Sequence, residues 1–345
     1  MQPAPLLQQL IRAAGRSPDA ALDEMAAALE PLGFAPHETT RGPRAVMWRR
    51  GAPRLALSGH VDIVPDGEGW ARDPHGGEIA DGAVWGRGAC DMLGSVAAFA
   101  AAAAAAPTAP CAILLTTDEE TRMAAAEGAL EQGLLQGIEA VVVGEPTSFA
   151  VGIAEKGVLW LRVRAHGRNA HGSMPELGDN AAERLLRAWQ GIASLKLDGE
   201  HALLGRPTRN LGKLRAGDAV NQVPALAEAE IDLRYLPGLR EKELIEALRG
   251  AAREPVDIEI ISHHAPFETP RDHPLVAAAM RAGGRAIVGL PYGTEASKYA
   301  PAGMPCVIFG PGDQALAHTN REHIFIADLD AGARAYAALL EAYAQ

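Results

Sequence analysis

The sequence predicts an α/β protein built on a mainly parallel central sheet, with a ferredoxin-like βαββαβ unit inserted into it. Short, wholly apolar β-type runs recur between helical segments, and polar, chemistry-bearing residues follow each run; the middle of the chain then switches to alternating strands. A length of 345 residues exceeds what one hydrophobic core usually organises, so two domains are expected.

The apolar runs are Arg54-Leu-Ala-Leu-Ser58, Cys111-Ala-Ile-Leu-Leu115, Ala140-Val-Val-Val143 and Cys306-Val-Ile-Phe309. Helical segments such as Asp23 to Pro31 and Leu93 to Ala106 separate them, the second an alanine-rich run ended by Pro107 whose small side chains allow close packing. Strands apolar on both faces belong to a sheet covered by helices on both sides. In such sheets ligands bind beyond the carboxyl ends of the strands. There the four runs lead to His60 and Asp62, to Asp118-Glu119-Glu120, to Gly144-Glu145-Pro146, and to Gly310-Pro311-Gly312 with His318 beyond.

From Val158-Leu-Trp-Leu-Arg-Val-Arg-Ala165 the pattern alternates apolar and polar, as a strand with one wet face should. A helix over about Asn180 to Ser194 follows, then strands near Thr208 to Leu214 and Ala225 to Tyr235, a helix after Pro237 and a strand Val256 to Ile261. The apolar grammar resumes after Pro266. The expected division is therefore a first domain of residues 1–155 and 262–345 and an inserted domain of residues 156–261.

The formal charge is -11 and no Lys/Arg run occurs, which argues against nucleic acid or an anionic membrane as partner. Met1 to Gly15 lacks the basic start and long apolar centre of an export signal, and the longest apolar segment, Leu93 to Ala106, is too short to span a bilayer. Cys90, Cys111 and Cys306 are too few and too scattered for a disulfide framework. A reducing cytoplasm is the expected location.

Two histidines and a set of carboxylates at successive strand ends have metal-site chemistry. His60 and Asp62, two apart, share a face while the chain stays extended, so the carboxylate is expected to hold the imidazole nitrogen that faces away from the metal. Asp91 sits in the glycine-rich Gly86-Arg-Gly-Ala-Cys-Asp91-Met-Leu-Gly94, where the backbone can press against a site; taken singly it reads as a helix N-cap. Glu119 and Glu120 are adjacent and point apart, so one can bind metal while the other faces a water. Glu145 follows a wholly apolar strand, where an unpaired carboxylate is costly and a cation would offset the cost. Nitrogen and oxygen donors suit Zn²⁺, and a carboxylate left free is available as a base. A serine-hydrolase reading fails for want of a Gly-x-Ser-x-Gly elbow.

Beyond single residues, an ordered series of motifs resembles the M20 metallopeptidase family, in particular its acetylornithine deacetylase and succinyl-diaminopimelate desuccinylase branch. The series is Ser58-Gly-His-Val-Asp-Ile-Val-Pro65, Gly86 to Gly94, Thr116-Thr-Asp-Glu-Glu120, Gly144-Glu-Pro-Thr147, Ala170-His-Gly-Ser-Met-Pro175, Asn221-Gln-Val-Pro224, Asp232-Leu-Arg234 and Gly310 to His318. The resemblance implies a zinc-peptidase-like catalytic domain, and an inserted lid through which the chain dimerises. It implies two Zn²⁺ per subunit, replaceable by Co²⁺: one held by His60 and Glu145, the other by Glu120 and His318, with Asp91 shared. Asp62 would orient His60, and Glu119 would take a proton from water and return it to the leaving amine. It also implies a cis Asp91-Met92 bond, oxyanion stabilisation by His171 in the neighbouring subunit's site, and substrate contacts from Asn221, Arg234 and Thr294.

The family departures are Leu93, where Lys is common, and Thr121-Arg-Met-Ala after the paired glutamates; both bear on substrate preference and rate. The implied reaction is removal of an acyl group from the nitrogen of an amino acid. N-acetylornithine is the first expectation, and succinyl-diaminopimelate, N-acetylcitrulline and dipeptides stay open. The alternative from another class is a non-catalytic protein that binds an amino-acid derivative.

Overall fold

The computed structural model describes residues 1–344. They fall into two units: Met1–Ile153, Glu268–Gly289 and Thr294–Gln345 in one, Ala154–Phe267 with Leu290–Gly293 in the other.

The first unit holds a mixed sheet whose strands run in the order Ala35–Glu38, Ala45–Arg50, Cys111–Thr116, Leu55–His60, Ala140–Val143, Cys306–Ile308 and then Val151–Glu155. Its centre is parallel: Leu55–His60 pairs in parallel with Cys111–Thr116 on one side and Ala140–Val143 on the other, and the latter pairs in parallel with Cys306–Ile308. Ala45–Arg50 adds an antiparallel flank. The register sets His60 opposite Thr116, Ser58 opposite Val143, and Val143 opposite Ile308. Parallel strands in this register end at one edge, so the polar residues that follow them emerge together.

Helices seal the sheet. Leu93–Ala105 is buried from Leu93 through Ala103, which its alanines permit by letting neighbouring elements approach closely. The edge of Tyr336, from the helix Ile326–Tyr343, meets Phe99 with ring centres 4.7 Å apart. Pro3–Ala14 buries Leu6, Leu7, Leu10 and Ile11 along one stripe, and Ser17 caps Pro18–Leu29 by accepting the Ala20 N–H at 3.1 Å. The helix expected over Asp23 to Pro31 thus begins earlier and stops at Leu29, where Pro31 cannot continue it.

The second unit is an antiparallel sheet in the order Thr208–Ala216, Leu226–Tyr235, Gly157–His166, Val256–His264. Leu159, Leu161, Val163 and Ala165 point to one face and pack with Leu185, Ala188 and Ile192 of helix Ala181–Ser194 and Leu244, Ile245 and Leu248 of helix Glu241–Ala252. The other face carries a charge ladder in which Arg162 and Arg164 meet Glu228, Glu230 and Glu259. Among the described residues no helix is long and apolar enough to cross a membrane.

Candidate metal centre

His60 is the last residue of its strand and is buried. Its Nε2 lies 3.4 Å from Asp91 Oδ1 and 3.8 Å from Glu145 Oε1. Asp91 turns its other oxygen to His318, with Oδ2 3.3 Å from Nε2, and His318 Nε2 is also 2.9 Å from Glu120 Oε1. Asp91 therefore stands between two imidazoles, each with a second carboxylate at hand. Donor atoms of His60, Asp91 and Glu120 all lie within 4.8 Å of one another.

Each arm of the cluster has a local cause. Gly88 turns the backbone through a φ of +79°, where an added Cβ would lie 2.7 Å from Ile63, and the chain then delivers Asp91 to the start of the helix Leu93–Ala105. The Asp91-Met92 peptide is cis. Asp118 accepts the N–H groups of Ala124 and Ala125 at 3.0 and 2.8 Å, which pins the helix Ala124–Glu131 behind the Glu119-Glu120 turn and accommodates Thr121, Arg122 and Met123 between them. Gly310 presses so closely on the Glu145 segment that a Cβ there would lie 2.5 Å from the Gly144 carbonyl oxygen and 2.6 Å from that of Glu145. His318 itself adopts a left-handed φ of 62°.

Asp62 is used differently from the sequence expectation. The nitrogen of His60 that faces away from the cluster, Nδ1, is 3.0 Å from the backbone carbonyl of Asp62 but 3.6 Å from its carboxylate. The carboxylate instead accepts the N–H groups of Glu119 and Glu120 at 3.1 and 3.0 Å. One residue so fixes the imidazole through its main chain and the paired glutamates through its side chain.

The electrostatics are those of crowded carboxylates. Burial, together with Asp91 and Glu119, holds Glu145 well above the usual carboxylate range. Burial does the same for Glu119, reinforced by Glu120, Glu295 and Asp91 and opposed by His60. For Asp91 burial works upward, but hydrogen bonds from His318 and His60 prevail and hold it low. His318, bonded to Asp91 and Glu120, is pushed up to about 10. Burial lowers His60, yet Asp91, Glu145 and Asp62 lift it well above the usual imidazole value. The cations that these carboxylates meet are the two histidines. Imidazole nitrogens and carboxylate oxygens converging on one spot, buried at His60 and open to solvent at His318, fit divalent metal ions of the zinc type.

The remaining expected residues fall elsewhere. Thr294 is buried in the first unit, its hydroxyl accepting the Ala296 N–H at 3.1 Å. His171, Asn221 and Arg234 belong to the second unit. His171 is exposed, with Nδ1 2.7 Å from Ser173 Oγ; the Asn221 carbonyl accepts the Gly172 N–H at 2.7 Å; and Arg234 forks onto Asp232 at 2.8 and 3.1 Å. Sequence reasoning missed Glu295, fully buried and hydrogen-bonded to Ser58, Thr116 and Tyr299, and the buried pair Arg87 and Glu322. The only sequence signal for these was a charge set among apolar or glycine-rich neighbours.

An open-edged α/β sheet with nitrogen and oxygen donors gathered at its strand ends and a further carboxylate beside them defines a metal-dependent hydrolase. The model of peptidase family M20/M25/M40 matches residues 56–342, and the chain belongs to that family. It is 32% identical over 340 residues to an acetylornithine deacetylase of Proteus mirabilis (strain HI4320), covering 91% of this chain and 87% of that one. A second acetylornithine deacetylase, from Erwinia tasmaniensis, is 34% identical over 293 residues, covering 79% and 76%. The fold is also that of an M20 family metallo-carboxypeptidase, Sso-CP2 from Sulfolobus solfataricus: TM-score 0.78 at 18% identity over 99% of this chain and 98% of that structure.

Proposed function

We propose that this chain is a di-zinc deacylase of N-acyl amino acids, with N-acetylornithine as its first-choice substrate, serving arginine biosynthesis in the cytoplasm. The observation that carries the reading is the two-armed cluster, His60 with Glu145 and His318 with Glu120, joined through Asp91. The identity to two acetylornithine deacetylases supports the choice of substrate. In this reading His60, Glu145 and Asp91 hold one ion and His318, Glu120 and Asp91 the other, with Co²⁺ able to replace Zn²⁺. Ions held there supply Lewis acidity, acidifying water and polarising the amide carbonyl.

The chain's own groups do the rest. Glu119 is the base: among the described residues its carboxylate makes no ion pair, while Asp62 fixes its backbone N–H. It takes the proton of the attacking water and gives it to the departing amine, so its pKa has to sit where it can do both. We assign the second unit, with its order of strands and helices, as a ferredoxin-like lid and dimerisation module. From it His171 would stabilise the oxyanion in the neighbouring subunit's site, and Asn221 and Arg234 would bind substrate. For Arg234 this requires exchanging the Asp232 carboxylate for that of the substrate. Thr294 would act by holding the loop at the edge of the site.

The test is a panel of N-acetylornithine, N-acetylcitrulline, succinyl-diaminopimelate and dipeptides, offered to chelator-stripped protein resupplied with Zn²⁺ or Co²⁺, with Glu119→Gln as control. Cleavage of N-acetylornithine above the others, lost by about 10²- to 10⁴-fold in the variant with metal retained, is expected. Metal uptake without turnover of any member would instead favour the non-catalytic binding protein.

A further inference from the structure

Arg87 and Glu322 form an ion pair of 2.7 Å in which the side chains are 2% and 1% exposed. Taking two charges out of water costs more than apolar residues of the same volume would, so a pair buried this completely invites the question of what else it touches. Glu322 Oε1 accepts the backbone N–H groups of Cys90 and Asp91 at 3.1 and 3.0 Å. Arg87 Nη1 donates to the carbonyl of Thr319, next to His318, at 3.3 Å. Its Nη2 donates to the carbonyls of Asp66 and Pro65 at 2.9 and 3.4 Å, on the loop that follows His60 and Asp62, and its guanidinium lies 5.1 Å over the ring of Trp70.

These contacts reach the backbone of three separate segments, and each carries or adjoins a residue of the cluster. Resting on the metal-centre reading above, we propose that Arg87 and Glu322 are positioning residues that hold Asp91, the His318 segment and the loop after His60 at the mutual spacing two metal ions require. Neither group touches the ions or the substrate. Their effect passes through peptide groups, and the rigid fork of arginine suits it to donate to several carbonyls at once where lysine could not.

The experiment is calorimetric titration of Zn²⁺ and of Co²⁺ into the chelator-stripped full chain, for wild type, Glu322→Gln, Arg87→Lys and the double substitution R87M/E322M. Glu322→Gln keeps an acceptor for the two N–H groups but gives up the ion pair; Arg87→Lys keeps the charge but gives up the fork; the double variant removes both charges together, so that neither is left buried alone. At least one of the two binding events should weaken by about 10- to 100-fold in variants whose far-ultraviolet circular dichroism matches wild type. Activity at fixed substrate should return as Co²⁺ is raised. A folded variant of any of the three that titrates as wild type does overturns the inference. So does failure of all three to fold under conditions that keep wild type folded, since the pair would then act on the fold alone. A wild-type chain that takes up neither metal overturns the metal-centre reading itself, and this inference with it.

Discussion

Glu295 offers a measurement of how much the site's surroundings cost the fold. Its carboxyl is fully buried, with hydrogen bonds from Thr116, Ser58 and Tyr299, and burial pushes its pKa up to about 7 against 4.5 for the ordinary group. Below pH 4.5 it is protonated in both the folded and the unfolded chain and has no effect on stability. Between 4.5 and about 7 the unfolded chain gives up its proton first, so stability falls as pH rises, and above about 7 the loss levels off. At about 1.4 kcal/mol for each tenfold change in proton activity, the gap amounts to about 3 kcal/mol. Glu295→Gln removes this fall and gives up about 1 kcal/mol of hydrogen bonding in exchange. In metal-free protein the variant should thus be slightly less stable than wild type near pH 5 and more stable by about 2 kcal/mol at pH 8. Urea unfolding of both proteins at the two pH values reads the difference. A wild-type-minus-variant difference that stays constant across that range would refute the reasoning.

Further outcomes follow from the same contacts. Asp62→Asn leaves one oxygen for two N–H groups and so loses about 1.5–3 kcal/mol of charge-assisted bonding at the Glu119-Glu120 turn; kcat should fall while two metals are still bound, and a variant with wild-type kcat would show that the turn holds without it. Metal removal should lower the melting temperature, and an ion at a hundredfold its Kd should restore about 2.7 kcal/mol per site; melts that do not respond to chelator would count against a metal centre in the folded state. His171→Ala should cost about 10²- to 10³-fold in kcat with metal content unchanged. Mixing that variant with Glu119→Gln should recover activity if the histidine serves the neighbouring subunit's site, and mixtures as inactive as their components would exclude that role.

The strands that carry the site were legible because each is apolar on both faces and is cut off by a polar residue, a pattern that needs no partner to be recognised. His60, Glu120, Glu145 and His318 were readable for the same reason, since they follow where the apolar runs stop, and Asp91 was readable from the glycine-rich segment around it. Which group of Asp62 meets His60 was not legible, because period-two reasoning holds only while the chain is extended and the strand ends at His60. Ala45–Arg50 was hidden by its terminal arginines, which read as surface. In the fold Arg49 donates to the carbonyls of Leu134 and Gln136, and Arg50 to those of Ala103, Ala106 and Ala109, so long cations satisfy loop ends instead of water. Arg87 with Glu322 and Glu295 with Ser58 and Thr116 are joined only through tertiary structure, and local spacing carries no record of such a pairing.

The charge balance at the strand ends separates the two classes of function that the sequence left open. Asp91, Glu119, Glu120 and Glu145 crowd one edge, and in the absence of other cations burial and mutual repulsion lift Glu119 and Glu145 while His60 and His318 must hold protons. A protein that bound an amino-acid derivative without metal would be more stable with amides or apolar groups in place of half the carboxylates. The cost is recovered when cations replace the protons, because the same crowding that is unfavourable in the empty cluster then becomes attraction to the ions. In the proposed reaction Glu119, which makes no ion pair among the described residues, is the carboxylate left free to move a proton.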